Sequence, residues 1–216
     1  MGQKISPLSN RLMITKDWKS CWFASGKNYR DKLIEDIKMR DYIIQNYGIN
    51  YAIEKVIIKR SLKDITIDIH SARPGLIIGR QGKGIEDFKK NVENFLFKNK
   101  LPSRKIKLNV TEVKKPEIKA TLIAQNIGQQ VSRRIPYRRA VKGAISKAME
   151  TGARGVKVVI SGRLNGAEIS RSEKYSQGTI PISTLKNNID FYVFHAKTTY
   201  GVIGIKVWVF DGKQIL

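Results

Sequence analysis

The sequence has very few of the residues that build disulfides and metal sites. Its 216 residues include one cysteine, Cys21, and two histidines, His70 and His195. A single cysteine cannot form an internal disulfide, and a structural zinc ion needs four ligands, so neither kind of site is expected. The sequence also lacks the run of about 18 apolar residues that a membrane helix needs, and the apolar block of a secretory signal. We therefore expect an intracellular protein with no membrane partner, no metal and no other cofactor.

Negative charge is scarce as well. The chain has 18 Asp and Glu against 41 Lys and Arg, which gives a formal net charge of +23. Both halves share the excess, since residues 1–112 carry a net charge of +11 and residues 113–216 one of +12. Apolar residues make up 41% of the chain, which is enough for a packed core. A folded protein with this charge is typical of those that bind a polyanion, here RNA or DNA.

The first half of the sequence alternates between helical and strand-like patterns. A helix is predicted at about 28–46 and a second, amphipathic helix at about 85–96. Strands are predicted around 56–58 and 65–70, and a further strand at 106–110. The apolar side of the first helix is expected to comprise Leu33, Ile34, Ile37 and Ile44.

The second half begins at a boundary marked by Pro116, which can open a helix. Helices are predicted at about 117–134 and 137–151, with a break at Pro136 and an end at Gly152. The remaining residues read as strands joined by short connections, which favours a mostly antiparallel sheet carrying two helices, an α+β fold. Those strands are predicted at 156–160, 164–174, 189–199 and 201–210.

These patterns predict three segments: a basic arm at 1–16, a domain at 17–112 and a second domain at 113–216. The arm contains Lys4, Arg11 and Lys16 and little helical pattern. Extended basic segments often become ordered only on RNA. The arm is therefore predicted to bind RNA and to be protease-sensitive in the free protein.

A glycine-rich segment lies between the predicted strand at 65–70 and the amphipathic helix. It fits neither a Walker A loop nor a dinucleotide-binding fingerprint, because its glycines have the wrong spacing for both. It does match the G-x-x-G loop of a KH domain, which clamps the backbone of about four nucleotides. With the flanking elements it predicts a type II KH domain of order α-β-β-α-α-β, whose RNA-binding loop comprises Gly79, Arg80, Gln81, Gly82 and Lys83.

Nearly the whole chain resembles one family, the universal small-subunit ribosomal protein three in its bacterial or organellar form. Many separate motifs match in the right order, which makes the resemblance specific. They are residues 1–4 (MGQK), Pro7, Arg11, 22–23 (WF), 72–75 (ARPG), 115–117 (KPE), 137–140 (YRRA), 161–168 (SGRLNGAE) and 198–204 (TTYGVIG).

The resemblance implies a protein of the small-subunit head that binds rRNA and contacts mRNA at its entry channel. It also implies small-subunit proteins ten and fourteen as neighbours, and a place in a bacterial cytoplasmic or an organellar ribosome. Since the resemblance begins at Met1, no transit peptide is expected. Since it ends at Leu216, the lysine-rich tail of many bacterial members is expected to be absent.

Three cations near the start of the predicted helix at 137–151 are the strongest candidates for an mRNA contact. At about 100° per residue, Arg139 and Lys142 fall opposite the apolar stripe, and Arg138 lies at its flank. In the resembled family the matching positions line the mRNA entry channel and assist in opening messenger structure. The stripe itself is predicted to comprise Val141, Ala144, Ile145, Ala148 and Met149.

Two other classes of function compete with this interpretation. A metal-dependent nuclease would need paired carboxylates. Asp64 and Asp68 would share a strand face but are spaced too far for one ion without a third ligand, and Glu86 and Asp87 point in different directions on a helix. We therefore predict that the chain is not an enzyme. A free-standing RNA chaperone needs the same basic surfaces, and the order of motifs beyond residue 116 favours the ribosomal protein over it.

Overall fold

The computed structural model describes residues 5–61, 64–98 and 105–214. The chain divides into two compact units. One unit is Trp18–Lys114. The other combines residues up to Asp17 with those from Lys115 onward. The sequence predicts the arm as a segment of its own, whereas in the structure its described residues pack with the C-terminal unit.

The first unit comprises β1 (Ser20–Cys21), α1 (Lys27–Tyr47), β2 (Ile53–Arg60), β3 (Asp64–Ser71), α2 (Pro74–Ile78), α3 (Lys83–Lys98) and β4 (Lys105–Glu112). Its four strands form a sheet of order β1-β2-β3-β4. β2 and β3 are antiparallel, while β1 runs parallel to β2 and β4 parallel to β3. The two longer helices, α1 and α3, contribute Met39, Ile43, Phe88 and Val92 to its core.

After the short strand β1, the element order is α1-β2-β3-α2-α3-β4, so the predicted type II KH topology is confirmed. The sequence did not reveal β1, because two residues are too few for a periodic pattern. β1 continues the sheet edge by pairing Ser20 with Ile58 and Cys21 with Lys59.

The predicted apolar side of α1 is wrong. Leu33, Ile34 and Ile37 are 36%, 42% and 46% exposed and Ile44 is half-buried. The helix instead buries Glu35 and Asp36 together with Met39 and Ile43. The reason is an ionic contact in the interior that apolar periodicity cannot show.

That contact centres on Arg60 at the end of β2. Its Nη1 donates to Glu35 Oε2 at 2.7 Å and its Nε to Asp36 Oδ1 at 2.7 Å. The indole Nε1 of Trp22 donates to Asp36 Oδ2 at 2.6 Å. Because the three charged side chains are at most 3% exposed, burying them is tolerable only as a paired group.

The second unit comprises α4 (Ala120–Ser132), α5 (Tyr137–Glu150), β5 (Gly155–Gly162), β6 (Arg171–Gly178), β7 (Asn187–Thr198) and β8 (Gly201–Gln214). Its strands form an antiparallel sheet of order β6-β5-β8-β7 with α4 and α5 packed on it, as the sequence predicts. Alternate residues of β5, such as Val156, Val158 and Ile160, are fully buried.

Two predicted boundaries differ in this unit. Residues 116–118 form a separate 3-10 turn before α4, since Pro116 starts the turn and Lys119 is extended. The predicted strand at 164–174 begins later, at Arg171, because Leu164–Gly166 is another 3-10 turn with Asn165 in the left-handed region. Leu164 is fully buried, so its apolar character reflects packing in a turn rather than a strand.

Candidate RNA-binding surfaces

The predicted KH loop is a tight turn between α2 and α3. Gly79, Gln81 and Gly82 all have a positive φ, of 67°, 55° and 79°. A Cβ at Gly79 would approach the backbone N of Gly84 to 3.0 Å, so a side chain there would crowd the start of α3. The loop therefore needs glycine at 79 for both its conformation and its space.

The polar side chains of the loop point outward. Arg80, Gln81 and Lys83 are all exposed. They flank the first turn of α3, whose leading N–H groups have no partner within the helix and attract anions. The acidic side chain in that turn, Glu86, opposes this attraction. The exposed Arg80 and Lys83 therefore lie beside the first turn of α3, the arrangement that the predicted phosphate contact needs.

Gly84 has a structural role that the sequence patterns did not predict. A Cβ at this position would lie 2.6 Å from the carbonyl oxygen of Ile77 and 3.0 Å from that of Ile78. α3 therefore begins in direct contact with the end of α2. This close approach sets the width of the loop, and its only sequence signal is a third glycine just after the G-x-x-G.

Helix α5 presents the predicted cations as expected from its periodicity. Val141, Ala144, Ile145 and Ala148 are buried, which confirms the stripe, and Met149 packs against the same core. Arg138, Arg139 and Lys142 are exposed on the other side of the helix.

The three cations nevertheless differ in their partners. Arg138 Nη2 lies 3.3 Å from Glu173 Oε1 on the neighbouring strand β6, and the guanidinium lies over the ring of Tyr137 at 5.7 Å. Within the described residues, Arg139 and Lys142 form no ion pair. Arg138 is therefore partly neutralised, while the other two carry uncompensated charge.

Glu173 collects several donors and was missed by sequence reasoning. Its Oε2 accepts from the Tyr175 hydroxyl at 2.5 Å, and its Oε1 accepts from the Tyr137 hydroxyl at 2.7 Å. These hydrogen bonds, with that of Arg138, lower the pKa of Glu173 to about 2 against the opposing effect of burial. The hydrogen bond with Glu173 in turn raises the pKa of Arg138. Nothing in the sequence signals this, since Tyr137 and Glu173 are far apart along the chain.

The structure gives the N-terminal arm a different arrangement from the predicted one. Arg11 is fully buried, and its guanidinium donates only to backbone carbonyls. The acceptors are Asn187 O at 2.8 Å, Ile182 O at 2.8 Å, Thr184 O at 3.0 Å and Pro7 O at 3.1 Å. Burial lowers the pKa of this group. Arg11 therefore holds the arm against its own unit. Because the side chain is not accessible to solvent in this conformation, it cannot make the RNA contact expected from the sequence.

The second predicted arm residue, Lys16, also has a partner within its own unit. Lys16 lies 3.5 Å from Asp190 on β7, and Asp190 also accepts from the backbone N of Ala120 at the start of α4. Lys16 is three-quarters buried in this contact. Lys4 lies outside the described residues.

Two comparisons with known proteins agree with this architecture. The family model for the KH domain matches residues 38–118, and that for the ribosomal protein S3 C-terminal domain matches residues 127–209. The small ribosomal subunit protein uS3 of Hydrogenovibrio crunogenus is 46% identical over 216 residues, covering all of this chain and 91% of that protein. The chain belongs to the uS3 family of small-subunit ribosomal proteins.

Other members are equally similar. The uS3 proteins of Carboxydothermus hydrogenoformans and Nitrosomonas europaea are 45% and 46% identical, each over the whole of this chain and 94% and 97% of their own lengths. Membership in this family, together with a KH domain, implies binding to rRNA. These relatives are named as ribosomal proteins, not as enzymes.

The described residues contain no cluster of three or more His, Cys, Asp or Glu side chains that could hold a metal ion. Across the same residues, none of the helices combines the length and apolar character needed to cross a membrane. Two of the carboxylates that a nuclease would need have basic partners instead: Asp68 contacts Lys59 at 2.8 Å and Asp64 contacts Lys107 at 2.6 Å.

Proposed function

We propose that this chain is a non-enzymatic component of the small-subunit head that binds rRNA and contacts mRNA where the message enters the subunit. Its net charge of +23 and its family membership support the RNA-binding part. The contact with mRNA rests on the exposed cations of α5. In the ribosome of a cell or an organelle, its protein neighbours would be small-subunit proteins ten and fourteen.

The single observation that carries the mRNA contact is the uncompensated charge of Arg139 and Lys142. Their helix is fixed by a buried apolar stripe, so the two cations are held in place on a rigid element. Lysine and arginine in such positions bind phosphates without reading sequence. A message of any sequence could therefore pass over this face.

We further propose that the three α5 cations open messenger structure passively. Holding the phosphates of a single strand lowers its free energy relative to the paired form, so a hairpin melts as the message is drawn past. The sequence contains no Walker A motif, and the proposed device uses no nucleotide of its own. Arg138 contributes less than its neighbours because Glu173 already compensates its charge.

The KH loop is proposed as a second phosphate contact. Arg80 and Lys83 supply the charge, and the N-terminus of α3 supplies the N–H groups. Replacing Arg80 and Gln81 with Asp would put negative charge at the expected phosphate position without touching the apolar core. We expect weaker RNA binding by the full chain and little change in its unfolding transition.

The test of the mRNA contact is translation through a stable hairpin. Arg138, Arg139 and Lys142 are changed to Ala, and elongation is timed on a hairpin message and on an unstructured one. The proposal expects selective slowing on the hairpin, with Arg139→Ala and Lys142→Ala together giving most of the effect. Equal rates on both messages would reduce these residues to a general basic surface.

A matched control removes the same charge elsewhere in the same unit. Lys174, Lys186 and Lys197 are exposed, and changing them to Ala should leave hairpin translation unaffected. Co-sedimentation tests the structural role separately. A subunit component remains stoichiometric with small subunits after a high-salt wash, whereas a free-standing RNA chaperone is released.

A further inference from the structure

A pocket of about 290 Å³ lies in the second unit, between the end of α4, the turn after β5 and the turn that joins β7 to β8. Its floor is apolar and includes Val131 and Ile203. Its rim carries Arg134, Arg163 and the half-exposed ring of Tyr200. It shares one lining residue, Tyr137, with the Glu173 cluster, and none of the contacts described above lies inside it.

The lining chemistry favours an anionic ligand with a planar ring. Arg134 and Arg163 supply two cations, and no lining residue is Asp or Glu. Tyr200 is 55% exposed, so part of its side chain is accessible to a ligand even though the Arg163 guanidinium lies over its ring. A ligand that carries both negative charge and an aromatic ring would use both features, and a nucleotide of RNA is such a ligand.

The ring of Tyr200 is held in position by its surroundings. Gly166 packs so closely that a Cβ there would lie 3.2 Å from the ring. The guanidinium of Arg163 lies 5.9 Å from the ring centre, and its Nε donates to the carbonyl of Ala167 at 3.0 Å. A fixed aromatic platform loses little freedom when a base stacks on it.

Backbone conformations at the rim provide an independent observation. Five described residues other than glycine have a positive φ, and two of them, Arg134 at 63° and Asn165 at 54°, line this pocket. Such conformations cost free energy and concentrate where a ligand is bound. Here they place one cation and one exposed amide, a group able to pair with the edge of a base, at the same opening.

We propose that this pocket receives one unstacked nucleobase of single-stranded RNA. The base stacks on Tyr200, its edge faces Asn165, and the adjoining phosphates lie against Arg134 and Arg163. Splayed bases that stack on aromatic side chains and on arginine are the usual means by which proteins bind single-stranded RNA. The pocket volume suits one base with its sugar, since it lies near the lower end of the range for small-ligand sites, about 300–1,000 Å³. The proposal does not depend on the role of α5.

The first test measures binding of the full chain to a single-stranded RNA of about 12 nucleotides and to an abasic strand with the same phosphates. Tyr200→Leu should weaken binding to the RNA by about fivefold or more and leave the abasic strand unaffected. Tyr200→Phe keeps the ring and should bind both strands as the native chain does. An equal loss on both strands, or no loss on either, would overturn the proposal.

These outcomes also separate the pocket from the α5 surface. Arg139→Ala with Lys142→Ala removes phosphate contacts, so it should weaken both strands alike, whatever happens at Tyr200. The phosphate contact at α5 and the base pocket at Tyr200 are therefore tested independently of each other.

A second test identifies the source of the base. Reconstituted small subunits are probed with base-modifying reagents, with and without mRNA, for the native chain and for Tyr200→Leu. A base of rRNA that loses protection in the variant without mRNA identifies a ribosomal ligand, whereas a Tyr200-dependent footprint confined to the message identifies mRNA. If no base in either RNA depends on Tyr200, including the case in which the pocket is instead covered by a neighbouring protein, the proposal is wrong.

Discussion

Arg138 on α5 and Glu173 on β6 form an ion pair of 3.3 Å at the face proposed to bind mRNA. Glu173 also lies 3.7 Å from Arg171 and accepts hydrogen bonds from the hydroxyl groups of Tyr137 and Tyr175. One carboxylate thus offsets two arginines within a strongly basic unit. It sets how much of the local positive charge is available to RNA.

Replacing Glu173 with Gln should strengthen the binding of single-stranded RNA. Glutamine keeps an acceptor for the tyrosine hydroxyls but removes the negative charge, which frees Arg138 for a phosphate. Each added phosphate contact steepens the log–log dependence of affinity on salt by about 0.7. Titrations of the full chain at several salt concentrations measure this slope. Glu168→Gln makes the same charge change at an exposed carboxylate, and an equal response in both variants would contradict the role given to Glu173.

The Glu173 carboxyl should titrate at about pH 2 rather than near its ordinary value of 4.5. A folded-state pKa below the unfolded one means that the carboxylate contributes stability above about pH 4.5 and that this contribution fades as the pH falls toward 2. Carbon NMR of the labelled carboxyl follows the titration directly. Tyr175→Phe removes the strongest hydrogen bond and should raise the pKa. A native midpoint near 4.5 would show that the cluster does not form.

Arg60→Met should destabilise the KH unit by about 3–5 kcal/mol, because it leaves Glu35 and Asp36 buried without a countercharge. Urea unfolding of the full chain, followed by tryptophan fluorescence, measures the effect, and one of the tryptophans, Trp22, bonds Asp36 in the altered group. The neighbouring Lys59 pairs with Asp68 at the surface, where its side chain is 56% exposed. Lys59→Ala should therefore have a small effect, and a loss as large as that of Arg60→Met would argue against a special role for the buried group.

The arm should resist protease in the free protein, in contrast to the expectation from sequence. Arg11→Ala leaves several carbonyl acceptors without their donor and should release the arm, so that trypsin cuts after Lys16 at least about tenfold faster. Mass spectrometry of short digests gives the rate at this bond. Rapid cleavage of the native chain would show that the arm is not docked.

Two glycines near the proposed RNA contacts should respond in opposite directions. At the exposed Gly143 of α5 an added Cβ would meet no atom within 4 Å outside the adjacent backbone of its own helix, so Gly143→Ala should stabilise the protein by about 1 kcal/mol. Gly84→Ala should destabilise it, since its Cβ would lie 2.6 Å from the carbonyl of Ile77. Thermal unfolding of the two variants gives the signs.

Periodicity predicted the elements whose apolar residues face one core, such as β5 and α5. It failed at α1, because Arg60 on β2 pairs with Glu35 and thereby allows charged residues of the helix to be buried. The G-x-x-G spacing indicated the KH loop, yet the close packing of Gly84 on α2 is visible only in three dimensions. Arg11 and Arg138 cannot be told apart from the sequence. In the structure, Arg11 donates hydrogen bonds to backbone carbonyls, whereas Arg138 forms an ion pair with Glu173. Such partners come from distant segments, and no local pattern encodes them.

The proposed contact between α5 and mRNA is tested most directly by a crosslink from α5 to the message in the assembled subunit. Cys21 is the only cysteine and is exposed, so Cys21→Ser followed by Lys142→Cys gives a single attachment point for a photoreactive group. Glu150→Cys, at the far end of the same helix, serves as the control. The probe at 142 should crosslink mRNA on the incoming side, more strongly than the probe at 150. Crosslinks from 142 to rRNA or protein alone, with none to the message, would contradict it.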